Sequence, residues 1–164
     1  MGEEAGIRWS VDPTSSVVEF HARHFWGLVP VRGCFHRFVG SYQAGLAPEG
    51  IDFTLDAASV DTGNRIRDTT LCGPRFFDAQ RYPQIRFRGT AVRMGDLMEV
   101  SGDLEAAGRR LPLRFPATIV ELGEGIVIEA SANADHRLLG MTFNPLGMLR
   151  APVVLHVRVS LCRY

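Results

Sequence analysis

The sequence predicts an all-β protein, an antiparallel β-barrel of about eight strands with one short helical excursion near residues 63–72. Three observations carry this. Apolar and polar residues alternate with a period of two in segment after segment, the mark of strands with one buried face. The connections between segments are short, so neighbours run antiparallel; a parallel pair needs a crossover of about a dozen residues. One apolar face on so many strands requires a second layer or a closed tube. Two sandwiched sheets meet the same requirement, and the barrel is the preferred reading.

The elements follow in order. "IRWSVD" opens the chain, and Asp12-Pro13 marks a turn before "SVVEFHARH", where Val18, Phe20, Ala22 and His24 share one face. Val31–Phe35 and Val39–Ala44 supply two more strands, separated by Gly45 and Pro48 to Gly50 from "IDFTLDAAS", with Ile51, Phe53, Leu55 and Ala57 on one side. "GNRIRDTTL" is the one helical segment, with Asp61 or Thr62 as its cap and Asp61–Arg65 as an i,i+4 pair. Five alternating runs complete the chain. They begin at Gln84, Leu97, Leu111, Gly125 and Val153, and Gly95-Asp96, Ala107-Gly108 and Gly123 to Gly125 mark turns between them. Pro112, Pro116 and Pro152 lie inside or beside these runs, which predicts edge positions or bulges there.

Composition narrows the function. The chain has 164 residues, enough for one domain with a real core, and 46% of them are hydrophobic. No segment approaches 18 apolar residues in a row, so no helical membrane span is expected. Charges balance at 18 against 18, which gives no basic excess for nucleic acid. "MGEEAGIRW" carries two acids and no apolar stretch, and this predicts a cytoplasmic protein. Cys34, Cys72 and Cys162 are odd in number and far apart, and read as free thiols.

The stretch "SVDTGNRIRDTTLCGPRFFDAQRYPQIRF", residues 59–87, interrupts the alternation and is the natural place to seek a site. Arg67 and Asp68 are sequence neighbours, so on a helix they cannot face each other and each must pair elsewhere. The stretch contains no histidine to complete an acid–base pair. Phe76, Phe77 and Tyr82, between Pro74 and Pro83, read as an apolar plug. The segment is expected to line and close a cavity and not to react. Elsewhere there is no G-x-S-x-G, no phosphate loop, and no H-x-H or H-E-x-x-H spacing among His21, His24, His36, His136 and His156. Neither a catalytic centre, a metal site nor a cofactor is expected. His21 should point outward. Arg86 and Arg88, with Arg81 nearby, read as a solvated strand face.

These motifs resemble one family. "WSVDPTSSVVEFHARH", "VRGCF", "SVDTGN", Arg67-Asp68, Leu71, Phe76-Phe77, "YPQIRF", "VSGDLEAAGRRLPL" and "DHRLLGM" occur in the order of the YceI-like, polyisoprenoid-binding proteins, from Trp9 to about Leu161. Leu139 stands where the family usually has phenylalanine. The resemblance implies a lipocalin-like barrel and a long apolar amphiphile, such as an isoprenoid or isoprenoid quinone, held in its lumen. It also makes a homodimer plausible.

Bulky Phe20, Phe35, Phe53, Phe87 and Phe115 mixed with small Ala22, Ala57, Gly89, Ala117, Ala130 and Ala132 would leave room for such a chain. The expected contact set is Val18, Phe20, Ala22, His24, Phe35, Phe53, Leu55, Leu71, Phe76, Phe77, Phe87, Leu104, Phe115 and Leu139. Asp61, Arg67 and Asp68 serve as head-group or structural polar groups. No nucleic acid and no stable membrane insertion are expected. One competing reading is an interaction module with a filled core, dimerising through outward Val92, Val120, Val127 and Val154. The other is an enzyme on a hydrophobic substrate using His24, Asp61 or Asp68.

Overall fold

A computed structural model describes residues 6–24, 29–141 and 150–163; the side chains of residues 24, 29, 150 and 151 also fall outside the description. The described residues form ten strands: β1 (Ile7–His24), β2 (Val29–Phe35), β3 (Phe38–Ala44), β4 (Glu49–Asp56), β5 (Val60–Asp61), β6 (Gln84–Met94), β7 (Leu97–Ala106), β8 (Arg109–Leu122), β9 (Gly125–Ala134) and β10 (Arg150–Arg163). Every pairing is antiparallel. The ring runs β1-β3-β4-β6-β7-β8-β9-β10 and closes where β10 pairs with β1, giving an eight-stranded barrel.

β1 is long enough to serve two partners on one edge. Its first residues, Ile7–Ser10, pair with β3, and Glu19–His24 pair with β2. The turn expected at Asp12-Pro13 is instead a bulge within one continuous strand: Asp12 pairs with Ser160 and Val17 with Arg158, leaving four residues opposite one. Local bonds stabilise it. The Asp12 carboxylate accepts from the Thr14 amide at 3.0 Å and the Thr14 hydroxyl at 2.7 Å, while Ser16 Oγ donates to the Asp12 carbonyl at 2.6 Å.

The helix, α1, spans Arg65–Cys72. Its cap is Asn64, whose side chain accepts from the Arg67 amide, and not Asp61 or Thr62. Asp61 does not pair with Arg65; its carboxylate takes the Gly63 amide at 2.8 Å and His36 Nε2 at 2.7 Å. The chain passes Asp61 before it turns into the helix, which puts that acid against the β2–β3 turn. Two 3-10 turns, Ala57–Ser59 and His136–Leu139, complete the described elements.

The β8–β9 ladder ends at Ala117–Ala130. Beyond it, β8 continues to Arg109 and β9 to Ala134 without pairing to each other, and the His136–Leu139 turn packs against β8 and β10. Pro112 and Pro116 lie in this one-sided stretch of β8, opposite Asp103 and Glu99 of β7, where a missing amide costs no ladder bond on the other edge.

Candidate functional site

The barrel interior holds a cavity of about 770 Å³ with an almost wholly apolar wall. Val18, Phe20, Ala22, Phe35, Phe53, Leu55, Leu71, Phe76, Phe77, Phe87, Leu104, Phe115 and Leu139 all line it, as do Ala117, Ala130 and Ala132. The filled-core reading does not hold. His24 belonged to the same expected set, but its side chain lies outside the described residues.

Space survives between so many phenylalanines because glycines let the rings lie against the wall. Phe20 faces Gly33 across β1–β2, and a Cβ on Gly33 would sit 2.3 Å from the Phe20 ring. Phe53 faces Gly40 across β3–β4, where a Cβ would come within 2.4 Å of the ring. Any side chain at either position would tip a ring into the bore.

Two expected sources of room fail. Gly89 does not line the cavity, because the Phe87 ring lies over it, 2.9 Å from a would-be Cβ. Ala57 is 0% exposed inside its 3-10 turn, packed against the chain instead of the lumen. Tyr82 is also not part of the plug: its ring lies beneath Gly108 of the β7–β8 hairpin, with the Arg81 guanidinium 5.4 Å from its centroid.

Helix α1 forms part of the cavity rim. Ile66, Arg67, Thr70 and Leu71 contribute to the lining, yet no α1 residue is fully buried and Ile66 is 81% exposed. The cavity therefore reaches solvent at this helix. Arg67 and Asp68 do find partners away from each other, and they share one. Arg67 Nε donates to Thr62 Oγ1 at 2.8 Å, and the Asp68 carboxylate accepts from the Thr62 amide at 2.9 Å and hydroxyl at 2.6 Å. Of the three expected polar groups, only Arg67 borders the lumen; Asp61 and Asp68 line an outer cleft beside His36.

Sequence reasoning missed two polar features of the lumen. His136 is 7% exposed, lines the cavity, and has no hydrogen-bond partner on either ring nitrogen among the described residues. Burial lowers its pKa from the ordinary histidine value, Arg137 adds to this, and Asp135 opposes it. The signal lay in "DHRLL": Asp135 accepts from the Arg137 amide at 3.0 Å and pairs with its guanidinium, which fixes a 3-10 turn and places His136 and Leu139 inward. That Arg137 bond holds the Asp135 carboxyl at about 2. The second feature is Tyr42, whose hydroxyl donates to the buried carboxylate of Glu49. Burial, then that bond, pushes the phenol well above its usual range.

On the outer wall, Cys34, His36 and Asp61 come together, with Sγ, Nε2 and a carboxylate oxygen all within 4.8 Å of one another. Motif spacing did not reveal them, because Asp61 arrives through the β2–β5 pairing, directly opposite Cys34. His21 bonds Glu19 at 3.2 Å, and Arg86 and Arg88 converge on Asp52 at 3.1 and 3.4 Å.

The model of the YceI-like domain matches residues 9–161. The chain belongs to the YceI-like family. Protein YceI of Escherichia coli O157:H7 is 30% identical over 111 residues, which cover 65% of this chain and 58% of that protein. A UPF0312 protein of Pectobacterium atrosepticum is 27% identical over 124 residues, 73% of this chain and 64% of its own length. The chain thus aligns with less than two-thirds of these relatives. Among solved structures, BcnA of Burkholderia cenocepacia superposes with a TM-score of 0.84 at 21% identity, covering 92% of this chain and 98% of that one. A polyisoprenoid binding domain from Saccharophagus degradans, implicated in plant cell wall breakdown, gives 0.77 at 17% identity, covering 96% and 99%. At these identities the likeness establishes the shared barrel fold. No helix among the described residues is long and apolar enough to cross a membrane.

Proposed function

We propose that this YceI-like chain binds one long apolar amphiphile, an isoprenoid or isoprenoid quinone, in its barrel lumen. The observation that carries this is the cavity of about 770 Å³ whose apolar wall contains a buried histidine, His136, without a hydrogen-bond partner among the described residues. Small-molecule sites typically measure about 300–1,000 Å³ and combine an apolar wall with few polar groups. Each methylene sheltered there contributes about 0.8 kcal/mol. His136 supplies the hydrogen bond for a polar end, and Arg67 stands at the rim. The polyisoprenoid-binding relative supports the isoprenoid class.

Binding is favoured over catalysis because Arg67 and Asp68 are committed to Thr62, and because Asp61 meets His36 in the outer cleft and not in the lumen. The decisive experiment is organic extraction of the purified chain followed by mass spectrometry, with titration of a fluorescent prenol into the stripped protein. Recovery of an apolar amphiphile, or saturable one-to-one prenol binding, is expected. No extracted lipid together with no prenol binding would overturn the reading.

A homodimer is a compatible second reading. Outward Val92 and Val120 are 61% and 44% exposed, as are Met94 and Leu97 at 74% and 58% on neighbouring strands of the same outer face. Burying this patch between two copies would remove it from water. Light scattering across a concentration series would show a mass of two chains; a mass of one chain at every concentration would exclude it.

A further inference from the structure

The cluster outside the lumen, at Cys34, His36 and Asp61, combines three donor types from two separate stretches of chain. Cys34 lies near the end of β2, His36 two residues further on in the turn to β3, and Asp61 on β5. The Cys34↔Asp61 pairing sets the first and third side by side, and the two-residue step brings His36 to the same side. Sγ lies 3.8 Å from His36 Nε2, which lies 2.7 Å from Asp61 Oδ2.

A Cys-His-Asp set invites comparison with a nucleophilic triad, and the geometry rejects it. In a triad the histidine uses one nitrogen for the nucleophile and the other for the acid. Here both neighbours meet the same nitrogen, Nε2. The three donor atoms converge on a point instead of forming a relay, which is the arrangement a metal ion demands. Donors about 2.0–2.3 Å from a tetrahedral zinc lie about 3.3–3.6 Å apart, a spread these side chains bracket. The second carboxylate oxygen of Asp61 is held by the Gly63 amide at 2.8 Å, an outer contact that orients the inner donor. An open cleft bordered by His36, Asp61 and Asp68 leaves a fourth position accessible to water.

We propose that Cys34, His36 and Asp61 form a three-ligand site for a divalent transition ion of the Zn²⁺ class, with a water or exogenous donor completing the tetrahedron. One thiolate, one imidazole and one carboxylate suit a borderline ion, and not Mg²⁺ or Ca²⁺, which take oxygen donors. On binding, the Cys34 thiol proton passes to solvent and the sulfur–metal bond takes its place. The ion would tie β2 to β5, the strand that leads into α1 at the cavity rim.

Cobalt(II) reports on such a site. Added to the full, reduced, chelator-stripped chain, one equivalent should produce a thiolate-to-cobalt charge-transfer band and the intense visible bands of a four-coordinate centre, both displaced by Zn²⁺. Cys34→Ser should abolish the charge-transfer band. His36→Ala and the isosteric Asp61→Asn should each weaken cobalt binding at least tenfold, with circular dichroism unchanged. Cys72→Ser and Cys162→Ser should leave the spectrum intact. Absence of the band in the unmodified chain, or its survival in Cys34→Ser, would overturn the site. Neither outcome bears on lipid binding in the lumen.

Discussion

The two ends of the barrel use similar residues for opposite purposes. At one end Tyr42, Ala91, Met98, Val100, Ala117, Ile119, Ile126, Val159 and Leu161 pack strand against strand, with Ile119 at 0% and Val100 at 1% exposure. At the other, Phe20, Phe35, Leu104, Leu139 and Met141 meet only partly buried Leu71, Phe76 and Phe77 from the helical excursion. The strands close the first end because hydrogen-bonded neighbours fix each side chain against the next. A short helix and loop cover the second, and their apolar groups pack against the core while staying only partly buried. Rigidity belongs to the strand-built end and access to the other.

This contrast is breakable. Ile119→Ala removes a fully buried side chain from the packed end and should cost about 2–5 kcal/mol in denaturant unfolding. Leu71→Ala, at the rim, should cost much less stability yet speed release of a bound prenol, measured by stopped-flow displacement. Equal stability losses would erase the proposed division.

Next in size is Tyr42→Phe. It leaves the Glu49 carboxylate buried with only the Gly45 amide, at 3.3 Å, among its described partners. Loss of a donor to a buried acceptor costs about 1–3 kcal/mol. Denaturant unfolding of Tyr42→Phe should show that loss, and an unchanged midpoint would mean the pair is solvated.

Gly40→Ala tests the bore itself. Its new methyl would meet the Phe53 ring and tilt it inward, so prenol affinity should fall about tenfold, with a stability loss of about 1–3 kcal/mol from the crowding. Gly50→Ala on the next strand, where the closest atom is 3.7 Å away, is the control and should bind normally.

The barrel was legible because period-two alternation is a local property repeated in every strand. Lumen residues such as Phe20, Leu55 and Leu104 followed directly from it. What escaped depends on pairings between distant strands. Nothing in "GNRIRDTTL" says that Asp61 will meet His36 and not Arg65, because that contact requires β5 to pair with β2. Likewise Gly89 looks like open space in sequence, and only the fold lays Phe87 over it. His136 was weighed for metal spacing, when its significance lies in being buried without a partner among the described residues.

The smallest effect is also the most informative about the guest. Burial lowers the pKa of His136, so on acidification the unfolded chain takes up this proton before the folded one. The related stability is complete above about pH 6.5 and is lost as pH falls below that value, by at most about 1.4 kcal/mol per pH unit. His136→Gln should flatten that part of the curve between pH 7.5 and 5. A neutral head group, as in a prenol or quinone, bonds the uncharged ring, and its affinity should weaken over the same window. A phosphate head would favour the protonated ring, and its affinity should rise. Prenol and prenyl phosphate titrations at the two ends of this range therefore separate the two classes, and identical pH profiles for both would remove His136 from the site.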